Sequence, residues 1–164
     1  MQRLNSAQLL FATVFLGIAC WSLSCGSSEP QFRHDGYVDF LRYENGAFST
    51  ISTIDVEMAD ENRERMQGLK YRSKMAEGQG MFFLFPGEGP LSFWMQDTKI
   101  PLDIIYVNDR LQIVDIYAMT EPFSEAQLPS SAPASSVVEV NGGYCARKGI
   151  AEGDYIQTRP IESK

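Results

Sequence analysis

The sequence predicts a mainly β fold of the α+β type: a compact antiparallel meander or small barrel-like sheet with one or two short helices. Three observations predict it. Short runs alternate apolar and polar side chains with period two, turn signals such as Asn-Gly and Asn-Asp break them at close intervals, and only two brief stretches read as helical. The 164 residues, 44% hydrophobic and 21% charged, fall in the globular class and suffice for one core.

Taken in order, Tyr37–Tyr43 and Phe48–Met58 read as strands, the second with Ile54, Val56 and Met58 alternating against Asp55 and Glu57. Asn45-Gly46 between them is a hairpin signal. Asp60 can cap a short helix over Glu61–Leu69, with Met66 and Leu69 on one face, Gly68 near its end, and Arg63, Glu64 and Arg65 on a wet face. Met81–Phe85 is wholly apolar between Gly80 and Pro86-Gly87, as expected of a central buried strand. After a turn at Gly87-Glu88-Gly89-Pro90 come strands at Leu91–Gln96, Leu102–Val107 and Leu111–Ala118, the last two joined at Asn108-Asp109. Thr120–Ser136 turns to Pro, Ser, Ala and Glu and reads as a long surface loop. Val137–Val140 resumes a strand, Asn141-Gly142-Gly143 turns, Tyr144–Lys148 makes one helical turn before Gly149, and Gly153-Asp154 leads into a last strand near Tyr155–Thr158.

The N-terminus carries a different signal. Arg3 is the only charge before an apolar run from Leu9 to Trp21 that ends in small residues, the pattern of a secretory signal peptide over residues 1–24. The run is short for a membrane span, which takes about 20 apolar residues. Leu23-Ser24-Cys25-Gly26-Ser27-Ser28 resembles a bacterial lipobox, with Cys25 as the acylated residue and residues 25–36 as a flexible tether to a single domain over 37–164. Ser22 stands where such boxes carry Leu, and Cys20 is the weaker second candidate because bulky Trp21 follows it. The expected location is the membrane surface facing the periplasm or the cell exterior, held by an N-terminal lipid.

Charge and cysteine content exclude several functions. The net charge is −7, and loss of Arg3 with the signal leaves 13 basic against 21 acidic residues. The densest basic stretch, Arg63–Arg72, is offset by Glu61 and Glu64, so nucleic acid is not an expected partner. Cleavage before Cys25 and its acylation would leave Cys145 as the free thiol, a small buried hydrophobe with no disulfide partner. The single histidine, His34, falls in the tether, which argues against a Ser-His-Asp triad and against histidine-rich zinc sites. No EF-hand-like spacing occurs, and neither a metal site nor a cofactor is expected.

A more specific pattern spans residues 49 to 158. Glu57, Arg65, Gly68-Leu69, Arg72, Gly80-Met81, Phe93-Trp94-Met95, Thr98, Pro101-Leu102-Asp103, Val138-Glu139 and Gly153-Asp154 follow a spacing that resembles the DUF192 (UPF0127) family. Phe93 to Asp103 is its most diagnostic block. The resemblance implies a compact β-rich fold, often found behind signal peptides, with no established activity. Asp97 stands where that family usually has Asn, and Lys70 where it usually has Met.

The candidate ligand-binding residues are Arg65, Arg72, Trp94, Asp97, Thr98, Asp103 and Glu139, since aromatics, arginines and carboxylates together suit a small polar ligand. The competing structural reading places Phe93, Trp94 and Met95 in the core and the charges in fold-fixing pairs. Asp97 with Asp103 is the carboxylate pair considered for acid–base chemistry. Three functions compete: a non-catalytic accessory or polar-ligand-binding module of the cell envelope, a carboxylate-dependent hydrolase, and a structural lipoprotein that docks an envelope protein. Arg65, Arg72, Asp97 and Asp103 are expected to lie close together.

Overall fold

Asn45 and Gly46 both take left-handed backbone angles, φ 54° and 81°, and reverse the chain between β1 (Gly36–Glu44) and β2 (Ala47–Ala59). Positive φ at both central residues suits the right-handed twist of a two-residue hairpin. The computed structural model describes residues 29–161; the segment read as a signal peptide, with Cys20, and the lipidation candidate Cys25 lie outside the described residues. After β2 come α1 (Asn62–Gln67), β3 (Gln79–Gly89), β4 (Ser92–Phe93), β5 (Leu102–Val107), β6 (Ile113–Tyr117), β7 (Leu128–Pro129), β8 (Ala134–Asn141), α2 (Tyr144–Lys148) and β9 (Tyr155–Pro160).

Seven strands form one sheet in the order β6-β5-β8-β3-β2-β1-β9, and β4 pairs with β7 in a separate ribbon. The large sheet curls until its outer strands meet, at the bridge Gln112↔Tyr155 and at hydrogen bonds such as Ile156 N–H to the Leu111 carbonyl, 2.8 Å. Of the two expected arrangements, the barrel-like one is present. The sheet is not a simple meander, because β2 and β3 run parallel and α1 lies on the crossover between them.

The apolar runs of β3 and β5 follow from burial on both faces. Phe82, Ile105, Val107, Val138 and Val140 join one core with Val38, Phe40, Tyr144 and Ile156, whereas Met81, Phe83, Ile104, Tyr106 and Val137 join a second with Leu69, Met95 and Leu102. Adjacent residues of one strand therefore serve opposite cores, and neither face is left to water.

Four elements differ from expectation, the first being β3, which runs on through Gly87-Glu88-Gly89 where a turn was expected. Leu91–Gln96 is strand only at Ser92–Phe93, because the Met95 amide leaves the ladder to donate to the Ser124 carbonyl at 3.0 Å. The stretch expected as a loop, Thr120–Ser136, contains β7 and the buried start of β8 at Ala134. Helix α1 is shorter than expected and is capped by Glu61 in a reciprocal capping box with Glu64, not by Asp60. Met66 faces solvent at 77% exposure, while Leu69 is buried.

Residues 29–35, read as tether, run along the domain: the Glu29 carboxylate accepts from Ser73 backbone and hydroxyl, and Arg33 donates to Asp35, the Met58 carbonyl and Glu64. His34 is exposed, edge-on to Tyr37 and 3.5 Å from Asp55.

A pocket floored by Glu139

The candidate residues separate into four that converge on one cavity and three that serve the fold elsewhere. Arg65, Trp94, Thr98 and Glu139 line a pocket of about 410 Å³ between α1, the residues that follow it, and the face of β3 and β8. That volume lies within the range of small-molecule sites.

Its walls are aromatic because the outer face of β3 presents Phe83 and Phe85 to the β4 residue Phe93. The Phe83 and Phe93 rings meet edge-on at 5.0 Å, Phe85 and Phe93 at 6.2 Å, and Phe93 continues to Tyr106 at 5.9 Å. Gly68 ends α1 at φ 49°, a conformation disfavoured for residues with a Cβ, and lets the chain turn onto the Phe83 ring. Trp94 stands at the mouth, 41% exposed, with the Lys70 ammonium 5.6 Å from its ring centroid. Arg65 is held in place rather than free: its guanidinium lies over Phe85 and donates to the carbonyls of Asp60 and Leu84 and to Asn62 Oδ1. Thr98 is buried, its hydroxyl 3.4 Å from the Gln96 carbonyl.

Glu139 is the deepest polar group of the site. It lies on β8 opposite Met81 of β3 and Ile104 of β5, is 4% exposed, and its carboxyl makes no hydrogen bond or ion pair among the described residues. Removal from water, with no compensating partner, pushes its pKa up to about 8, so it is largely protonated at neutral pH.

The other three candidates have structural partners. Asp103 is fully buried and caps α2: Oδ1 accepts the amides of Met119 and Gly143, each at 2.8 Å, and Oδ2 accepts that of Cys145 at 2.9 Å. Arg72 and Glu57 form a buried pair, with Nη2 at 2.6 and 2.8 Å from the two carboxylate oxygens. Asp97 occupies a left-handed position, φ 59°, within reach of the Tyr71 hydroxyl at 3.3 Å. The expected cluster of Arg65, Arg72, Asp97 and Asp103 is therefore not formed as paired charges: each has other partners, because Asp103 points to the core containing α2 while Arg72 lies on the opposite face beside Glu57. Asp97 and Asp103 do not make a carboxylate pair either, since both Asp103 oxygens are committed to backbone amides.

Cys145 is buried, and burial followed by the nearby Asp103 carboxylate pushes its thiol well above the ordinary range, which leaves it a packing residue. Among the described residues no group of three His, Cys, Asp or Glu could hold a metal ion, and no helix is long and apolar enough to cross a membrane.

Sequence reasoning missed Phe83, Phe85 and Lys70 as pocket residues. The period of two within Met81–Phe85 was the available signal for the phenylalanines, and the Lys70 departure from the family pattern was the signal for the third.

Residues 44–158 match the profile of DUF192, described as an uncharacterized ACR. The chain belongs to the DUF192 family. Two solved structures are similar. One is a "putative transcription regulator" from Sinorhizobium meliloti 1021, 32% identical over 80% of this chain and 98% of that one, with a TM-score of 0.70. The other is a protein of unknown function from Novosphingobium aromaticivorans DSM 12444, 33% identical over 74% and 83% of the two chains, with a TM-score of 0.67. No curated protein matches. The Phe93–Asp103 block that carries the DUF192 resemblance proves to combine both roles: Trp94 and Thr98 line the pocket, whereas Met95, Leu102 and Asp103 build the core and its cap.

Proposed function

We propose that this DUF192 protein is an exported, lipid-anchored binding module of the cell envelope that holds a small ligand in the Glu139 pocket without performing a reaction on it. The observation that carries this reading is a carboxyl group with no partner among the described residues, at the floor of an aromatic-walled cavity, a position that costs stability and is therefore expected to be retained for a ligand. The pocket lining contains a single carboxyl and neither histidine nor cysteine, so it offers no carboxylate pair for hydrolysis and no Ser–His or Cys–His couple. Export and anchoring rest on the pattern of residues 1–25. The net charge of −7 disfavours carrying the regulator name of the Sinorhizobium protein over to this chain as a nucleic-acid role.

A thermal-shift screen of the protein against small neutral, cationic and anionic aromatics tests the binding reading. Compounds that raise Tm in the wild type should lose their effect in Trp94→Ala and Glu139→Leu. Shifts that persist unchanged in both variants would place binding elsewhere and sink the reading.

A further inference from the structure

We infer that the pocket selects an uncharged amide head group on an apolar body, the amide meeting Glu139 at the floor and the body lying among Phe83, Phe85, Phe93 and Trp94. The inference rests on the binding role proposed above and names the ligand class. A protonated carboxyl presents one donor and one acceptor side by side, and a carboxamide presents the complementary pair, so two hydrogen bonds can form without a charge entering the enclosure.

The electrostatic surroundings separate the amide from its charged analogues. The groups around Glu139 are Arg65 of α1, Lys70 in the residues after it, Glu57 with its partner Arg72 on the β2 side, and Tyr106 of β5, whose hydroxyl donates to the Leu128 carbonyl. Arg72 already neutralises Glu57, leaving the cations Arg65 and Lys70 at the pocket itself. A ligand ammonium would meet both, and the aromatic face best suited to a cation, that of Trp94, already carries the Lys70 ammonium. A ligand carboxylate is attracted at the mouth but would have to shed its water against apolar rings to reach Glu139.

Three probes with one body test this: 3-phenylpropionamide, 3-phenylpropylamine and 3-phenylpropionate. Ligands of this size bind with Kd on the order of 1 mM, so binding to the full chain is followed by NMR of the Trp94 indole. The amide is expected to bind tightest of the three at pH 7, and to lose about tenfold in affinity by pH 9 as Glu139 ionises. Glu139→Gln, which keeps a donor and an acceptor, should bind the amide equally at both pH values, and Glu139→Leu should not bind it. Tighter binding of the amine or the carboxylate, or amide binding that is independent of pH in the wild type, would overturn the amide assignment while leaving a binding pocket. Failure of all three probes to perturb Trp94 in folded protein would overturn the binding role as well.

Discussion

Glu139 and Asp103 are both buried carboxyl groups, and their surroundings assign them opposite tasks. Asp103 meets three backbone amides, whereas Glu139 meets apolar rings and the pocket space. The unmet desolvation of Glu139 makes stability depend on pH in a defined direction. Its folded pKa, about 8, lies above the unfolded value of 4.5, so the folded state binds the extra proton between these limits. Stability is thus greatest below pH 4.5 as far as this group is concerned, and is lost as pH rises through 8. Glu139→Gln should leave Tm unchanged near pH 4 and raise it progressively between pH 5 and pH 8, with a gain on the order of 4 kcal/mol near pH 8 as an upper bound. Chemical denaturation at several pH values measures it, and a gain that is constant with pH would refute the assignment. Asp97 shows a different residue-scale logic. Its left-handed backbone is one that Asn and Asp tolerate better than other side chains, so Asp in place of the usual Asn preserves the turn.

At the scale of elements, α2 depends on a side chain from β5. The helix has only five residues, Tyr144–Lys148, preceded by Gly143 at φ 77°, and local propensity alone would not hold it. The Asp103 carboxylate satisfies the Gly143 and Cys145 amides and also pins Met119, itself at φ 51°, on the neighbouring connection. Asp103→Ala strands three backbone donors, that of Cys145 buried and those of Met119 and Gly143 partly buried, and should destabilise by about 2–4 kcal/mol. Asp103→Asn should cost less, because its carbonyl can replace Oδ1 while its amide opposes the Cys145 N–H. Urea melts of the two variants give the comparison, and equal, near-zero costs would show that water replaces the carboxylate. Helix α1 is held differently, by its capping box and by Arg65 reaching the β3 carbonyl of Leu84, which explains how six residues can roof a pocket although Met66 stays exposed.

For the whole molecule, the pocket is a product of chain topology. A parallel pairing such as β2 with β3 needs a crossover, and this crossover lays α1 and Gly68–Lys70 over the outer sheet face, where β4 completes the aromatic wall. The Arg72–Glu57 pair lies on the same crossover, joining it to β2. Among the first described residues, Glu29 and Arg33 bind residues 29–35 to the domain beside α1. The proposed anchor precedes this segment by a few residues only, which would hold the domain close to the membrane. Cys25→Ser should abolish acylation and release or misprocess the protein. Cells fed a clickable fatty acid report this directly: label on Cys25→Ser equal to wild type would defeat the Cys25 assignment, and loss only with Cys20→Ser would move it.

Local signals were enough to determine the β-rich class, the Asn45-Gly46 hairpin, the central buried strand, the turn at Gly143 and the family membership. Each depends on neighbours in sequence: alternation, turn residues and motif spacing. Half-buried charges were not legible in the same way, because a side chain's partner is chosen across strands. The residues Arg72, Asp103 and Glu139 are each simply a charged side chain in sequence, yet one pairs with Glu57, one caps α2 and one has no partner among the described residues. The parallel β2–β3 crossover was hidden for the same reason, since alternation records that a strand has two faces and says nothing of its neighbour's direction. Which faces were covered, and hence which carboxyl lost its water without replacement, was decided by the curl of the sheet and the path of the chain across it.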